Sequence, residues 1–430
     1  MYRARNLRLR DNTLTAKTKR SEKMTIIEFF DNNYVENIIS TLTCNPDKVI
    51  LVGNNAKRID RYIGIYKKIA QNRGLKTEFS SLNVNKNTLE DIIEALTLIV
   101  ESNDDCIFDL EGGEELLLVG TGYVAGKYPD RVRLHSFNIR NNTMLDCDAD
   151  GEIAQEYPME ISIEENIRIY AGQIVTKHEG FKSWDYSDEL KEDVFMLWEI
   201  CRKNPKAWNK FCACLSETVA GLVGNSFILD RITAGINWKT SANKIDISYL
   251  KKINNIGIIN NLHIGDDGIR FDFKNEQIKR CLLKSGQVLE LYITFTAKGL
   301  TERIGKPVYN DVLCSVVLDW DVPGIDNDRF KSYSTTNEVD VLLMKDIVPV
   351  FISCKNGITD INELYKLNTV AERFGGKYAK KVLMISDHKN STSTPEHILA
   401  RAEDMNITVI PDVAELSYNE LEDKLRNLWH

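Results

Sequence analysis

A chain of 430 residues is too long for one ordinary core, so two or three domains are expected, and 43% hydrophobic with 27% charged residues is the balance of a globular chain. The formal net charge of -8 excludes wholesale coating of nucleic acid, so a polynucleotide would need a local basic patch or bridging metal ions. No apolar run approaches the roughly 20 residues of a membrane span, which points to a soluble, cytoplasmic protein with no membrane partner. Nine cysteines form no regular framework, and Cys212-x-Cys214 lacks a second pair, so reduced core thiols are expected rather than a zinc site.

Residues 1–23 are rich in Arg and Lys and read as a disordered basic leader, with Met24 as the start of the first domain. A periodic segment, 25–42, reads as helical. Lys48–Gly53, K-V-I-L-V-G, is a short buried strand running into Gly53, Asn54 and Asn55. A helix over 58–73, a strand near 76–79, a polar loop at 80–83, a helix over 88–100 and a strand at 106–110 follow. Glu111-Gly112-Gly113-Glu114-Glu115 then opens the next helix. This alternation predicts a parallel, Rossmann-like sheet.

Ligands of such sheets bind over the carboxyl ends of the strands, where glycine lets the backbone approach and helix N-termini offer free N–H groups. Gly53, Asn54, Asn55, Glu111, Gly112 and Gly113 are therefore candidate ligand-loop residues. No G-x-G-x-x-G occurs there, and Glu111, Glu114 and Glu115 would repel a bare pyrophosphate. Adenine-type recognition with a few phosphates fits better than a dinucleotide. The alternative, that these are only tight strand-to-helix turns, stays open at this point.

Residues 131–150 alternate as two antiparallel strands around Asn141-Asn142. The order of strand, Gly-Asn loop, D-L-E-G-G-E-E helix and F-N-I-R-N-N-T hairpin resembles the CRISPR-associated Rossmann fold, the CARF sensor domain. The resemblance implies a homodimeric pocket for a cyclic oligoadenylate, cyclic tetra-adenylate first among them. The two glycine-bearing loops and the polar loop with Ser80 and Ser81 would line it. A sensor over 24–170 is the corresponding boundary.

Helical patterning over 188–228 is followed by a helix ending near Ile253 and by two short strands around Asp266-Asp267-Gly268, a hairpin signal. Helices before a small hairpin suggest a winged-helix-like linker over 171–275. Lys244, Lys251 and Lys252 only partly supply a basic recognition helix, which favours a linking or dimerising role over DNA reading.

From 276 to the end, a helix over 277–296, a strand over 311–321, a hairpin over 337–357 and two helix–strand pairs give an α/β domain. The hairpin reads N-E-V-D-V-L-L-M-K-D-I-V-P-V-F-I-S-C-K-N-G, with two apolar runs flanking a tight Lys345-Asp346 turn. Such a hairpin brings Asp340 and Lys355 together at one rim. Glu290 sits among Leu289, Leu291 and Ile293, a costly place for a carboxylate without a metal ion or a Lys or Arg partner.

Glu290, Asp340 and Ser353-Cys354-Lys355 resemble the PD-(D/E)xK pattern of restriction-endonuclease-like domains. The resemblance implies Mn2+ or Mg2+ as cofactor, held by oxygen ligands, with Lys355 orienting the attacking water. One departure stands out, because Ser353 occupies the usual acidic position. Glu290 is the preferred replacement, with the Cys354 carbonyl as a further metal ligand, ahead of Glu338. A bare rim ion pair between Asp340 and Lys355 is the structural alternative. Taken together, the chain resembles the CARF-fused ancillary nucleases of type III CRISPR systems. That implies a cyclic-oligoadenylate-activated, metal-dependent endonuclease of antiviral defence acting on DNA, with single-stranded DNA and RNA as further candidate substrates. The rival reading is a non-catalytic, ligand-responsive DNA-binding regulator.

Overall fold

The computed structural model describes residues 23–85, 87–149, 151–155, 158–176, 186–218, 222–320, 336–357, 359–387 and 396–429. Residues 1–22 of the stretch read as a leader, and Asp321, lie outside them. The first unit runs β1 (Met24–Phe29), α1 (Glu36–Cys44), β2 (Lys48–Gly53), α2 (Ala56–Asn72), β3 (Glu78–Asn83), α3 (Leu89–Ser102), β4 (Asp105–Asp109), α4 (Glu115–Lys127), β5 (Val132–Asn138), β6 (Thr143–Asp146) and β7 (Gly151–Ile153). Its seven strands lie in the order β3-β2-β1-β4-β5-β6-β7, parallel from β3 to β5 and antiparallel at the β5–β6–β7 end. The α/β class and the parallel sheet expected from the sequence are thus present.

Two expectations for this unit need correction. Residues 25–42 hold β1 and α1 rather than one helix, because the short run Thr25–Phe29 is the central strand between β2 and β4. A buried apolar run of that length looks alike in helix and strand. Residues 80–83 are the second half of β3 and not a loop, since each pairs with β2.

A connecting stretch contributes α5 (Ile163–Ile169) and β8 (Gln173–Ile174). The middle module comprises α6 (Lys191–Cys201), α7 (Pro205–Glu217), β9 (Leu222–Val223), β10 (Ser226–Asp230), α8 (Arg231–Ala234), α9 (Trp238–Ala242), α10 (Ile247–Asn255), β11 (Ile259–Gly265) and β12 (Gly268–Phe273). Its four strands form the sheet β11-β12-β10-β9. The hairpin expected around Asp266-Asp267-Gly268 is present, and β10 occupies the end of the stretch read as helical.

The last unit contains α11 (Glu276–Leu283), α12 (Gln287–Gly299), β13 (Asp311–Asp319), β14 (Thr336–Lys345), β15 (Val348–Lys355), α13 (Ile361–Gly375), β16 (Lys380–Ile385), α14 (Glu396–Asp404), β17 (Ile407–Ile410) and α15 (Tyr418–Arg426). The single helix expected over 277–296 is broken, because Gly286 takes φ +93 between α11 and α12, a conformation helices do not contain. Asp346-Ile347 forms the hairpin turn, one residue later than expected, with Asp346 at φ 56.

The sheet order β17-β16-β15-β14-β13-β8 shows that β8, from the connecting stretch, closes the edge of this last sheet. Strand alternation splits β14 between two cores. Val341 and Leu343 belong to a core that runs through α12 to Trp198, Trp208 and Phe211 of the middle module, whereas Leu342 and Met344 join a core that reaches Ile26 and Tyr66 of the first unit. The sheet is therefore covered on one face by α12, against which α6 of the middle module packs, and linked to the first unit on the other.

Candidate functional sites

At the carboxyl ends of β1, β2 and β4 a cavity of about 380 Å³ opens, lined in part by Phe30, Asp31, Asn32, Asn54, Asn55 and Arg58. Asn55 caps α2 by accepting the Arg58 N–H at 3.1 Å, so the strand-to-helix turn is fixed by its own side chain. The Arg58 guanidinium donates to Asn32 Oδ1 at 2.6 Å and to the Tyr34 hydroxyl, and stands over the Phe30 and Tyr34 rings. Arg58 is thus a cationic wall that sequence reading missed; its place on an ordinary amphipathic helix carried no signal.

Gly113 also lines this cavity at φ +86, and a Cβ there would lie 2.8 Å from the Phe29 Cβ. Only glycine lets this loop close over the strand end. Of the other loop residues, Asn54 and Asn55 reach the cavity, while Gly53 sits at the end of β2 against Ile59. Gly112, at φ +80, turns the loop beside Asp31. Glu111 accepts from Ser136 and is absent from the lining. Ser80 and Ser81 are spent within the fold: Ser80 donates to the Val49 carbonyl at 3.4 Å and Ser81 to Asp60 at 2.8 Å.

Beneath the loops lies buried acid. Glu28 and Asp109 are 1% and 0% exposed, and burial pushes both carboxyls well above the usual range; the Asp109 charge adds to the rise of Glu28, and the Glu111 and Glu36 charges to that of Asp109. Asp109 is held by Ser40 and by the Glu111 N–H at 2.7 Å.

A second cavity, of about 310 Å³, opens in the last unit between β14, β15 and α13, with Glu338, Asp340, Ser353, Lys355, Glu363 and Lys366 among its walls. The hairpin register places Asp340 one step beyond the last paired position, Val341 with Ile352. There its Oδ2 accepts the Cys354 N–H at 2.7 Å and the Ser353 hydroxyl at 3.3 Å. Burial raises the Asp340 pKa, and Lys355 works against that rise. Lys355 Nζ lies 2.7 Å from Glu363 Oε2. Burial pulls the Lys355 pKa down, but Asp340 and Glu363 outweigh it and hold the ammonium above its ordinary range. Asp340 and Lys355 are therefore brought to one rim, as the hairpin reading expects.

Glu290 lies behind this rim. It is 5% exposed, is not among the cavity's described lining residues, and its Oε2 accepts from Gln287 and Ser315 at 3.0 Å each. Lys284 Nζ stands 3.7 Å from Glu290 Oε2 and 2.6 Å from Glu338 Oε1. Burial, then the Asp340 charge, push the Glu290 carboxyl up to about 7. Cys354 offers its N–H to Asp340, and burial drives its thiol well above the usual range.

Three further residues were invisible in the sequence pattern. Ser315, mid-strand in β13, has φ 50, a left-handed conformation that is strained for a non-glycine residue, and it stands across from Asp340. Asn356 donates to Asn209 Oδ1 of α7 at 2.7 Å, so the middle module grips the chain directly after Lys355. Glu363 sits in the first turn of α13, which Asp360 caps by accepting the Asn362 and Glu363 N–H groups.

Among the described residues no group of three His, Cys, Asp or Glu side chains could hold a metal ion unaided. Mg2+ sites, however, use one or two carboxylates and fill the octahedron with water and substrate phosphate. Asp340 and Glu363 on the walls of one cavity, with ammonium groups beside them, fit such a sparse oxygen donor set.

No protein-family model matches the chain, and no curated protein does. Among solved structures, protein VC1899 from Vibrio cholerae is similar at 16% sequence identity with a TM-score of 0.71, over 94% of this chain and 98% of that one. Can2 from Sulfobacillus thermosulfidooxidans, solved in complex with cyclic tetra-adenylate, is similar at 14% identity with a TM-score of 0.63, again over 94% and 98%. The chain shares the fold of both along nearly its whole length, and one of them holds the ligand that the sequence resemblance implied.

Proposed function

From a fold shared with a cyclic-tetra-adenylate-bound protein, we propose that this chain is a cyclic-oligoadenylate-switched, divalent-metal-dependent nuclease of type III CRISPR defence. The observation that carries the reading is the pairing of two cavities in one chain. One is polar and lies over strand ends; the other joins a carboxylate to a lysine on a hairpin.

In the first cavity Asn32, Asn54 and Asn55 offer amide donors and acceptors suited to adenine edges, and Arg58 supplies a cation for phosphate. Leu98, Val119 and Tyr123 on α3 and α4 are 58%, 57% and 59% exposed. Such an apolar face is the surface a second copy would cover. The start of α4 borders the cavity, so a homodimer formed there would set two cavities side by side for one cyclic ligand.

In the second cavity a Mg2+ or Mn2+ ion, when bound, polarises the phosphate and lowers the pKa of a bound water. Asp340 offers it a carboxylate braced by the Cys354 N–H. Lys355 stays charged and stands where it stabilises negative charge developing on the phosphate. DNA is the first substrate to test, followed by single-stranded RNA.

The test incubates plasmid and labelled single strands with Mn2+, with and without cyclic tetra-adenylate, for wild type and Lys355→Ala. Ligand-dependent cutting by wild type and its loss in Lys355→Ala are expected. Absence of cutting under every condition would favour the regulator reading, and cutting that survives Lys355→Ala would remove the hairpin from the chemistry.

A further inference from the structure

Ser353 leaves the hairpin cavity one carboxylate short, and two buried-side candidates stand near it, Glu290 and Glu363. Glu290 faces Gln287, Ser315 and Lys284 in the α12–β13 packing, is only 5% exposed and is not among the cavity's described lining residues. Glu363 differs on each count. It lines the same cavity as Asp340, Ser353 and Lys355, and its Oε2 lies 2.7 Å from Lys355 Nζ. Lys366 Nζ meets its other oxygen at 3.0 Å. The capping of α13 by Asp360, at 2.7 Å to the Asn362 N–H, fixes the helical turn from which Glu363 projects.

We propose that Glu363, supplied by the helix after the hairpin, is the second acidic residue of the phosphodiester site, a ligand to the divalent cation beside Asp340. A hard cation takes oxygen donors that solvent and substrate can reach. Glu363 is such a donor, and Glu290 is a positioning residue behind Asp340. The geometry also explains why a serine suffices at 353. Its hydroxyl braces the Asp340 carboxylate at 3.3 Å, while the negative charge that an acidic residue would bring there comes from α13. This inference rests on the nuclease reading.

The experiment titrates Mn2+ into the full chain by calorimetry for wild type, Asp340→Asn, Glu363→Gln, Glu363→Asp, Glu290→Gln and Lys355→Ala, with thermal unfolding of each variant to certify folding. Asp340→Asn and Glu363→Gln should each weaken Mn2+ by more than about tenfold, the loss already usual for partners beyond the ligands. Glu363→Asp should recover part of the affinity, and Lys355→Ala should retain it. Glu290→Gln should weaken Mn2+ less than Glu363→Gln does. If Glu363→Gln binds Mn2+ like wild type while Asp340→Asn does not, the Glu363 assignment falls and the nuclease reading stands. If Lys355→Ala loses affinity as Glu363→Gln does, Glu363 acts only through the lysine and the assignment also falls. If wild type binds no Mn2+, both fall.

Discussion

Glu290 is the buried carboxyl that lies behind the hairpin cavity. Its carboxyl is raised to about 7, first by burial and then by Asp340. A carboxyl raised on folding binds its proton more tightly in the folded chain than in the unfolded one. Its stabilising contribution is therefore full below the unfolded carboxylate range and is lost as pH rises through about 7. Glu290→Gln keeps an acceptor for Ser315 but removes the titration. Relative to wild type, its melting temperature should gain more at pH 8 than at pH 5, measured by calorimetry in metal-free buffer. An equal effect at both pH values would contradict the raised pKa. Asp340 and Lys355 were legible in the sequence because a hairpin's register is short-range and their types stand out at its ends. Glu363 and Ser315 were not, because their roles depend on how α13 and β13 fold back onto that hairpin.

Between the two cavities runs one chain of elements. The loop after β1 lines the first cavity, and α1 follows it with Glu36 in its first turn. Glu36 is fully buried and pairs with Lys377 at 2.8 Å and with the Tyr378 hydroxyl. Those partners occupy the corner between α13, which carries Glu363, and β16, which pairs with β15 ahead of Lys355. A ligand that moves the β1 loop thus has a path of packed, hydrogen-bonded elements to the hairpin cavity. The double variant Lys377→Gln/Tyr378→Phe should still bind cyclic tetra-adenylate in equilibrium dialysis. Its ligand-stimulated cleavage should drop at least about fivefold, the low end of ordinary coupling between sites. Unchanged stimulation would exclude this corner. The sequence revealed the parallel sheet and the hairpin because periodicity and turn residues are local. It concealed β1, whose apolar run suits helix and strand alike, and the break at Gly286, which one glycine in a helical pattern does not announce.

At the scale of the whole molecule, the last sheet is bound to the rest of the chain on both faces. β8 closes its edge, and Asn209 of the middle module holds Asn356 just past Lys355. That layout was hidden from the sequence, since a two-residue strand has no pattern and the shared cores join residues more than a hundred positions apart. Tyr123 on α4 is exposed, and in the proposed homodimer it is where a second copy would meet the first. Tyr123→Glu should shift the protein from dimer to monomer in light scattering and weaken cyclic tetra-adenylate together with it. A dimer unaffected by Tyr123→Glu would move the interface elsewhere.

The central claim is that occupancy of the first cavity controls chemistry in the second. Its most direct test measures, on one preparation, cyclic tetra-adenylate binding and the Mn2+-dependent cleavage rate across the same ligand concentrations, for wild type and Asn55→Ala. Cleavage should rise with occupancy, and Asn55→Ala should displace both curves together. Cleavage at full rate without ligand, or a binding curve that shifts while the cleavage curve stays, would contradict the account.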